Sequence, residues 1–227
     1  MTLGFRILKR RRAVSGEIAR AFRELPVANV SDSMARISAA GPRLRPFHRR
    51  GLTVAGPALT VKSRPGDNLL LHKAIDMAAP GDVIVVDAGG DLTNALMGEI
   101  MVAIAQKKGI AGFVLNGALR DADEIYASGI GIYAAGVTHR GPYKDGPGEI
   151  NVPIAIDGMV VEPGDLILGD GDGVVCVPYD EAGAMLRAAR AKQQAEKAEL
   201  AAIEAGTNDR SWVDEALRAR GCAGLEG

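Results

Sequence analysis

The sequence predicts an α/β fold with a parallel layer at its centre. Three observations carry this. DVIVVDA at 82–88 is a short, almost wholly apolar run, as a strand buried on both faces requires. IAGFVLN at 110–116 is a second such run, and the residues between them read as a helix from Ala95 to Lys108 stopped by Gly109. A third strand, Gly131 to Ala135, follows a short helix over 121–128. Strand–helix–strand–helix–strand at this spacing calls for crossover connections and parallel pairing.

The remaining elements follow from local signals. Ile18, Ala21, Phe22 and Leu25 recur at helical spacing behind a Ser15 cap, and Pro26 ends that helix. Ser31 is positioned to cap a second short helix, SDSMARIS, which stops before Gly41-Pro42. Ala58 to Lys62 is rich in strand formers, and a helix through Leu69, Leu70, Ala74 and Met77 follows the Pro65-Gly66 turn. INVPIAI, MVVEP, DLILGD and GVVCVP are short strands separated by glycine turns, which suggests hairpins or barrel corners. From Asp180 to Ala205 the chain is Ala-, Glu- and Lys-rich and strongly helical, and one more helix is expected around Trp212 to Arg220. The thin apolar stripe of the longer helix (Met185, Leu186, Leu200, Ile203) suits a surface or a neighbouring subunit. The expected division is a main domain over 1–178 and a C-terminal helical extension over 179–227.

Composition excludes several function classes. Basic and acidic residues nearly balance, 27 against 28, and aromatics are only 4%, so wholesale nucleic-acid binding is not expected, nor a base-stacking surface. With two cysteines, Cys176 in an apolar run and Cys222 in a glycine-rich tail, no disulfide framework is read, and a reducing cytoplasm is expected. The basic run Lys9 to Arg12 has no apolar stretch behind it, so it reads as an exposed helix face and not as a signal peptide. No run reaches the length of a membrane span.

The chemistry concentrates between Gly98-Glu99 and Arg120-Asp121, which open and close the segment GEIMVAIAQKKGIAGFVLNGALRD. A helix start offers backbone N–H groups to a carboxylate. Arginine adds a planar fork of donors and aspartate a hard oxygen for a divalent cation. Each has a plainer alternative: Arg120-Asp121 as an ion pair capping a helix, Gly98 as a close-packing glycine, Glu99 as a solvated helix residue. Asp87, Asp91, Asp170 and Asp172 lie at strand ends or in turns and read as structural. His48, His72 and His139 have no zinc-ligand spacing; His72 falls on a helix and His139 in a loop that could border a pocket. Lys62 and Lys73 lack the apolar setting of a Schiff-base lysine, and GDGDG at 169–173 is a turn without the calcium-loop pattern.

GDVIVVDAGG, ALMGEIM, GFVLNGALRD and GDLILGDGDGVVCVP, in this order, resemble the 4-hydroxy-4-methyl-2-oxoglutarate aldolase group, over roughly Val27 to Pro178. That group shares its fold with the regulator of ribonuclease activity A. The resemblance implies a layered α/β sandwich with a central barrel-like sheet, of the swivelling-domain type. It also implies a class II pyruvate aldolase dependent on Mg²⁺ or Mn²⁺, acting on a 2-oxo acid, with oxaloacetate decarboxylation as a companion activity through the same enolate. Gly98, Glu99, Ile100 and Met101 match the loop whose amides hold the pyruvyl carboxylate, Arg120 the substrate-contacting arginine, and Asp121 the metal ligand. Glu99, with twenty positions between it and the Arg-Asp pair, matches an acidic residue of the aldolases, one methylene longer where relatives carry Asp. Glu124 fits a further acidic position of the family pattern. A homotrimer or dimer of trimers is implied, with acidic residues contributed in trans. The alternative is a non-catalytic regulator that binds an endoribonuclease.

Overall fold

A computed structural model describes residues 2–225, which divide after Ala189 into two compact units. In the first unit the core is a parallel layer of β3 (Val54–Ser63), β4 (Val83–Asp87), β6 (Gly112–Leu119) and β7 (Gly131–Val137), in that spatial order. The helices α3 (Leu69–Met77), α4 (Glu99–Lys107) and α5 (Ala122–Ala127) are the crossovers. The layer widens into one mixed sheet of ten strands among the described residues. β8 (Gly148–Ile150) joins β3 antiparallel and carries β1 (Phe5–Ile7) beyond it, while β2 (Arg45–Pro46) closes against β7. β3 is long enough to branch: its first half also pairs with β11 (Leu166–Asp170), which forms a hairpin with β12 (Gly173–Val177). β9 (Ile154–Ile156) and β10 (Met159–Val161) make a separate hairpin.

The burial of β4 explains its composition. Ile84 and Val86 face a cluster with Leu71 and Ile75 of α3 and Val102 and Ala105 of α4. Val83 and Val85 face the other side, against Ile154, Met159, Ile167 and Cys176. A strand covered by helices on one face and hairpins on the other has no polar face to show, hence the unbroken apolar run. Each such side chain contributes roughly 1.5–3 kcal/mol by leaving water. A third cluster joins Phe22 of α1 (Gly16–Phe22), Val27 and Val30 of α2 (Val27–Ser33), Leu166 and Val175. This is the layered α/β sandwich expected from sequence.

Three local readings change. α2 begins at Val27, not at Ser31, because the Val27 amide is capped at 2.9 Å by Asp170, which is distant in sequence. Ala35 and Arg36, inside the expected second helix, sit at φ 54° and 65°, which ends it. The expected helix at Ala95 starts four residues late: Ala95–Met97 is a strand, β5, paired with the end of β6, and Gly98 is the N-cap of α4. The basic run at 9–12 lies outside any helix and serves as a strap. Arg10 makes a two-pronged pair with buried Asp82 at 2.9 and 3.1 Å, and Arg12 pairs with Glu162 and Asp180, each at 2.8 Å.

The helix α6 (Ala182–Glu204) begins in the first unit, where Ala182 and Ala189 are buried, and continues into the second. The second unit holds the rest of α6 and α7 (Ser211–Ala219). Among the described residues no helix is long and apolar enough to cross a membrane.

Candidate active site

The site forms where β5 and β6 end side by side. The Arg120 amide donates to the Met97 carbonyl at 2.9 Å, which brings Arg120-Asp121 against Gly98. Asp121 adopts the left-handed conformation, φ 56° and ψ 47°, a region that aspartate tolerates better than most residues. That turn aims its carboxylate away from its own helix. Asp121 makes no side-chain cap on α5; its Oδ2 instead accepts the Glu99 amide of α4 at 2.9 Å. A negative charge at the start of α4 is favoured by the helix dipole. The Arg120 Nε lies 3.6 Å from the same oxygen.

Gly98 is required by this approach. A Cβ there would lie 2.3 Å from Asp121 Oδ2 and 3.1 Å from Arg120 Nε. The packing reading of Gly98 is seen here: absence of a side chain is what lets the Asp121 carboxylate reach the helix start.

Gly98, Ile100, Met101, Arg120 and Asp121 line a cavity of about 130 Å³, together with Asn68, His72, Pro142 and Lys144. It is smaller than the roughly 300–1,000 Å³ of drug-sized pockets and suits a small acid. Of the residues expected from sequence, Glu99 and Glu124 do not line it: Glu99 is exposed, and its amide is what contacts Asp121. The Met101 amide is also bonded within the turn, to Gly98, and Ile100 holds the first-turn amide with no carbonyl partner among the described residues. His139 does not line the cavity.

Sequence reasoning missed Asn68 and Lys144, and left His72 without a role. The loop that carries Lys144 is fastened by Asp67, which is fully buried. Its Oδ1 accepts the Leu69 amide at 2.9 Å, and its Oδ2 accepts the amides of Asp145 and Gly146 at 2.8 and 2.9 Å and Arg64 at 3.1 Å. Burial would push this carboxyl up, but the three amides and Arg64 outweigh it and hold it below the usual aspartate range. Tyr143 adds two backbone bonds, to Gly66 and from Asn68. The local signal was the Pro-Gly-Asp turn at 65–67, whose long-range partners a sequence does not display.

Electrostatically the cavity favours an anion, with Arg120 and Lys144 against Asp121. Burial and the neighbouring Lys144 lower the pKa of His72, against an opposing pull from Asp76, so the imidazole is neutral near pH 7. Asp87 stays structural: it pairs with Lys62 and accepts from the Gly89 amide and the Asn116 side chain. Asp91 and Asp170 likewise bind nearby backbone. No group of three or more His, Cys, Asp or Glu side chains is placed to hold a metal among the described residues. Asp121 therefore offers a single carboxylate, a donor set that fits Mg²⁺, which keeps waters and takes substrate oxygens.

A larger cavity of about 710 Å³, lined by Arg20, Arg23, Gly81, Gly109 and Gly131, lies at the opposite, N-terminal ends of the parallel strands. In α/β sheets ligands bind outside the carboxyl ends of the strands, where Asp121 and Arg120 lie.

Known proteins were compared with this arrangement. A relative from Halalkalibacterium halodurans, provisionally named a 4-hydroxy-4-methyl-2-oxoglutarate aldolase, is 41% identical over 182 residues, 80% of this chain and 86% of its own. A 4-hydroxy-4-methyl-2-oxoglutarate aldolase from Thermus thermophilus is 38% identical over 117 residues, 52% of this chain and 71% of its own. The solved structure of an RNA-processing inhibitor, RraA, also from Thermus thermophilus, superposes with a TM-score of 0.63 at 34% identity, covering 68% of this chain and 93% of that one. An uncharacterised protein from Pseudomonas syringae gives a TM-score of 0.77 at 28% identity, over 86% of this chain and 95% of that one. The match to the family model spans residues 27–176, which takes in the parallel layer, the cavity and all but the last residue of the β11–β12 hairpin, and the chain belongs to the RraA-like family, described as Aldolase/RraA.

Proposed function

We propose that this protein is a divalent-metal-dependent aldolase that cleaves a 4-hydroxy-2-oxo acid, such as 4-hydroxy-4-methyl-2-oxoglutarate, to release pyruvate. Membership of the family and the aldolase names of relatives support a carbon–carbon lyase. The single observation that carries the finer reading is the meeting of Asp121 and Arg120 at the start of α4, in a small cavity with an excess of positive charge.

In this reading Arg120 and Lys144 bind the acid, and the Ile100 amide at the helix start takes a carboxylate oxygen. Leu96, Met97 and Met101 exclude water from the reacting carbons, which strengthens each charge interaction. Cleavage next to the 4-hydroxyl leaves negative charge on the former ketone oxygen, and the guanidinium of Arg120 stabilises it there. A Mg²⁺ or Mn²⁺ ion held by Asp121 would supply Lewis-acid charge to the same oxygens when bound. Oxaloacetate decarboxylation passes through the same enolate and is expected as a side activity. We further propose that the chain works as a homotrimer or a dimer of trimers. Ile100, Ile104 and Tyr126, 74%, 44% and 53% exposed on α4 and α5 beside the cavity, give an apolar surface for a second copy.

A second reading is favoured by one observation, the likeness to the RNA-processing inhibitor. A regulator that binds an endoribonuclease needs the surface of this fold but not its cavity. Pyruvate release separates the two. The aldolase reading expects release from 4-hydroxy-4-methyl-2-oxoglutarate with Mg²⁺ or Mn²⁺ and none with EDTA; no release with either metal would favour the regulator.

A further inference from the structure

Asn68 lines the cavity and is 2% exposed, at the N-terminus of α3. Its Nδ2 donates to the Leu96 carbonyl at 2.9 Å and lies 3.5 Å from Met101 Sδ. That donation fixes the amide's orientation, since the reverse would set two oxygens against each other. Its Oδ1 is left buried with no hydrogen-bond partner. A buried acceptor without a donor is costly, about 1–3 kcal/mol, and calls for an explanation. It does not cap α3, whose Leu69 amide is taken by Asp67. The cover over this amide is yielding on one side, where Met101 supplies a flexible thioether.

We propose that Asn68 reads the substrate's 4-hydroxyl, its Oδ1 accepting the hydroxyl proton's hydrogen bond. The inference rests on the aldolase reading and adds a specificity-determining residue to it. The chemistry selects this group. On an ionised 4-hydroxy-2-oxo acid the carboxylates and the ketone only accept hydrogen bonds, and the hydroxyl is the one donor. An orphaned acceptor therefore discriminates the aldol substrate from pyruvate and from oxaloacetate in its keto form, which carry no donor. An asparagine does not take the proton in the reaction; it orients the hydroxyl whose proton must leave as the carbon–carbon bond breaks.

The test compares Asn68→Ala with the wild-type protein, following loss of 4-hydroxy-4-methyl-2-oxoglutarate by proton NMR with Mg²⁺ present. Product inhibition by pyruvate, which has no hydroxyl, is measured in the same assay and reports an intact cavity. The expected result is a fall in kcat/KM of about tenfold or more, with the pyruvate inhibition constant changed by less than about threefold. An unchanged kcat/KM overturns the inference. So does a parallel loss of cleavage and of pyruvate binding, which would make Asn68 a support for the Leu96 carbonyl alone. Absence of cleavage by the wild-type protein removes the aldolase reading itself, and this inference with it.

Discussion

The carboxylate of Asp121 accepts the amide of Glu99 at 2.9 Å, so the residue that precedes α5 caps α4. This one bond joins the two ends of the segment to which the proposed chemistry is assigned. It holds Arg120 near Gly98, and it explains why a charged residue in the left-handed conformation follows a fully buried strand.

Gly98→Ala tests this contact. A methyl group 2.3 Å from Asp121 Oδ2 must push the carboxylate off the helix start or shift the β5 end. The expected cost is about 1–3 kcal/mol of stability, with turnover reduced on the order of 100-fold because the displacement falls on the reacting groups. Thermal melts and pyruvate-release kinetics check it. Wild-type turnover in this variant would show that the contact does not position the site.

Arg120→Lys separates a fork from a point charge. An ammonium cannot reproduce the planar set of donors, so kcat is expected to fall by about 10²–10³-fold, as for loss of an oxyanion donor. The fold should be unaffected, since Arg120 is half-exposed and its backbone amide supplies the bond to Met97. Full activity in Arg120→Lys would leave the arginine with a structural role only.

Asp67→Asn tests the fastening of the Lys144 loop, and its pH dependence has a definite sign. The folded carboxyl sits below its ordinary value, so the unfolded chain binds the proton first as pH falls. Its stabilisation is complete above the unfolded aspartate pKa of about 3.9 and is lost as pH falls through the lower folded value. Asparagine removes the charge-assisted bonds and is expected to cost about 2–4 kcal/mol near neutral pH. The gap in melting temperature between wild type and variant should be widest near pH 7 and narrow below about pH 4. A gap independent of pH would mean that the carboxylate charge is not what holds the loop.

Much of the fold was legible because its signals are local. β4 and β6 are apolar on both faces, and Ser15 and Gly109 mark helix ends by themselves. What could not be read depended on distant partners. Ala95–Met97 resembles the first turn of a helix, since a short apolar run has no decisive period, and only pairing with Ala118 and Leu119 makes it a strand. α2 starts at Val27 because Asp170 caps it from a distant hairpin. The site divides in the same way. Gly98, Arg120 and Asp121 announce themselves by residue type at the ends of predicted elements. Asn68 and Lys144 become neighbours through Asp67 and the backbone bonds of Tyr143, and the exposure of Glu99 follows from where the first turn of α4 points, which spacing alone does not give.

The most direct test of the central claim, that Asp121 is the metal-holding residue of a pyruvate-releasing site, is Asp121→Ala in a lactate dehydrogenase-coupled assay. 4-Hydroxy-4-methyl-2-oxoglutarate and oxaloacetate are offered in turn with Mg²⁺, Mn²⁺ or EDTA. The account predicts metal-dependent pyruvate release by the wild-type protein, abolished by EDTA and by Asp121→Ala, while the variant keeps the wild-type melting temperature within a few degrees. Metal-dependent release that persists undiminished in Asp121→Ala would contradict it.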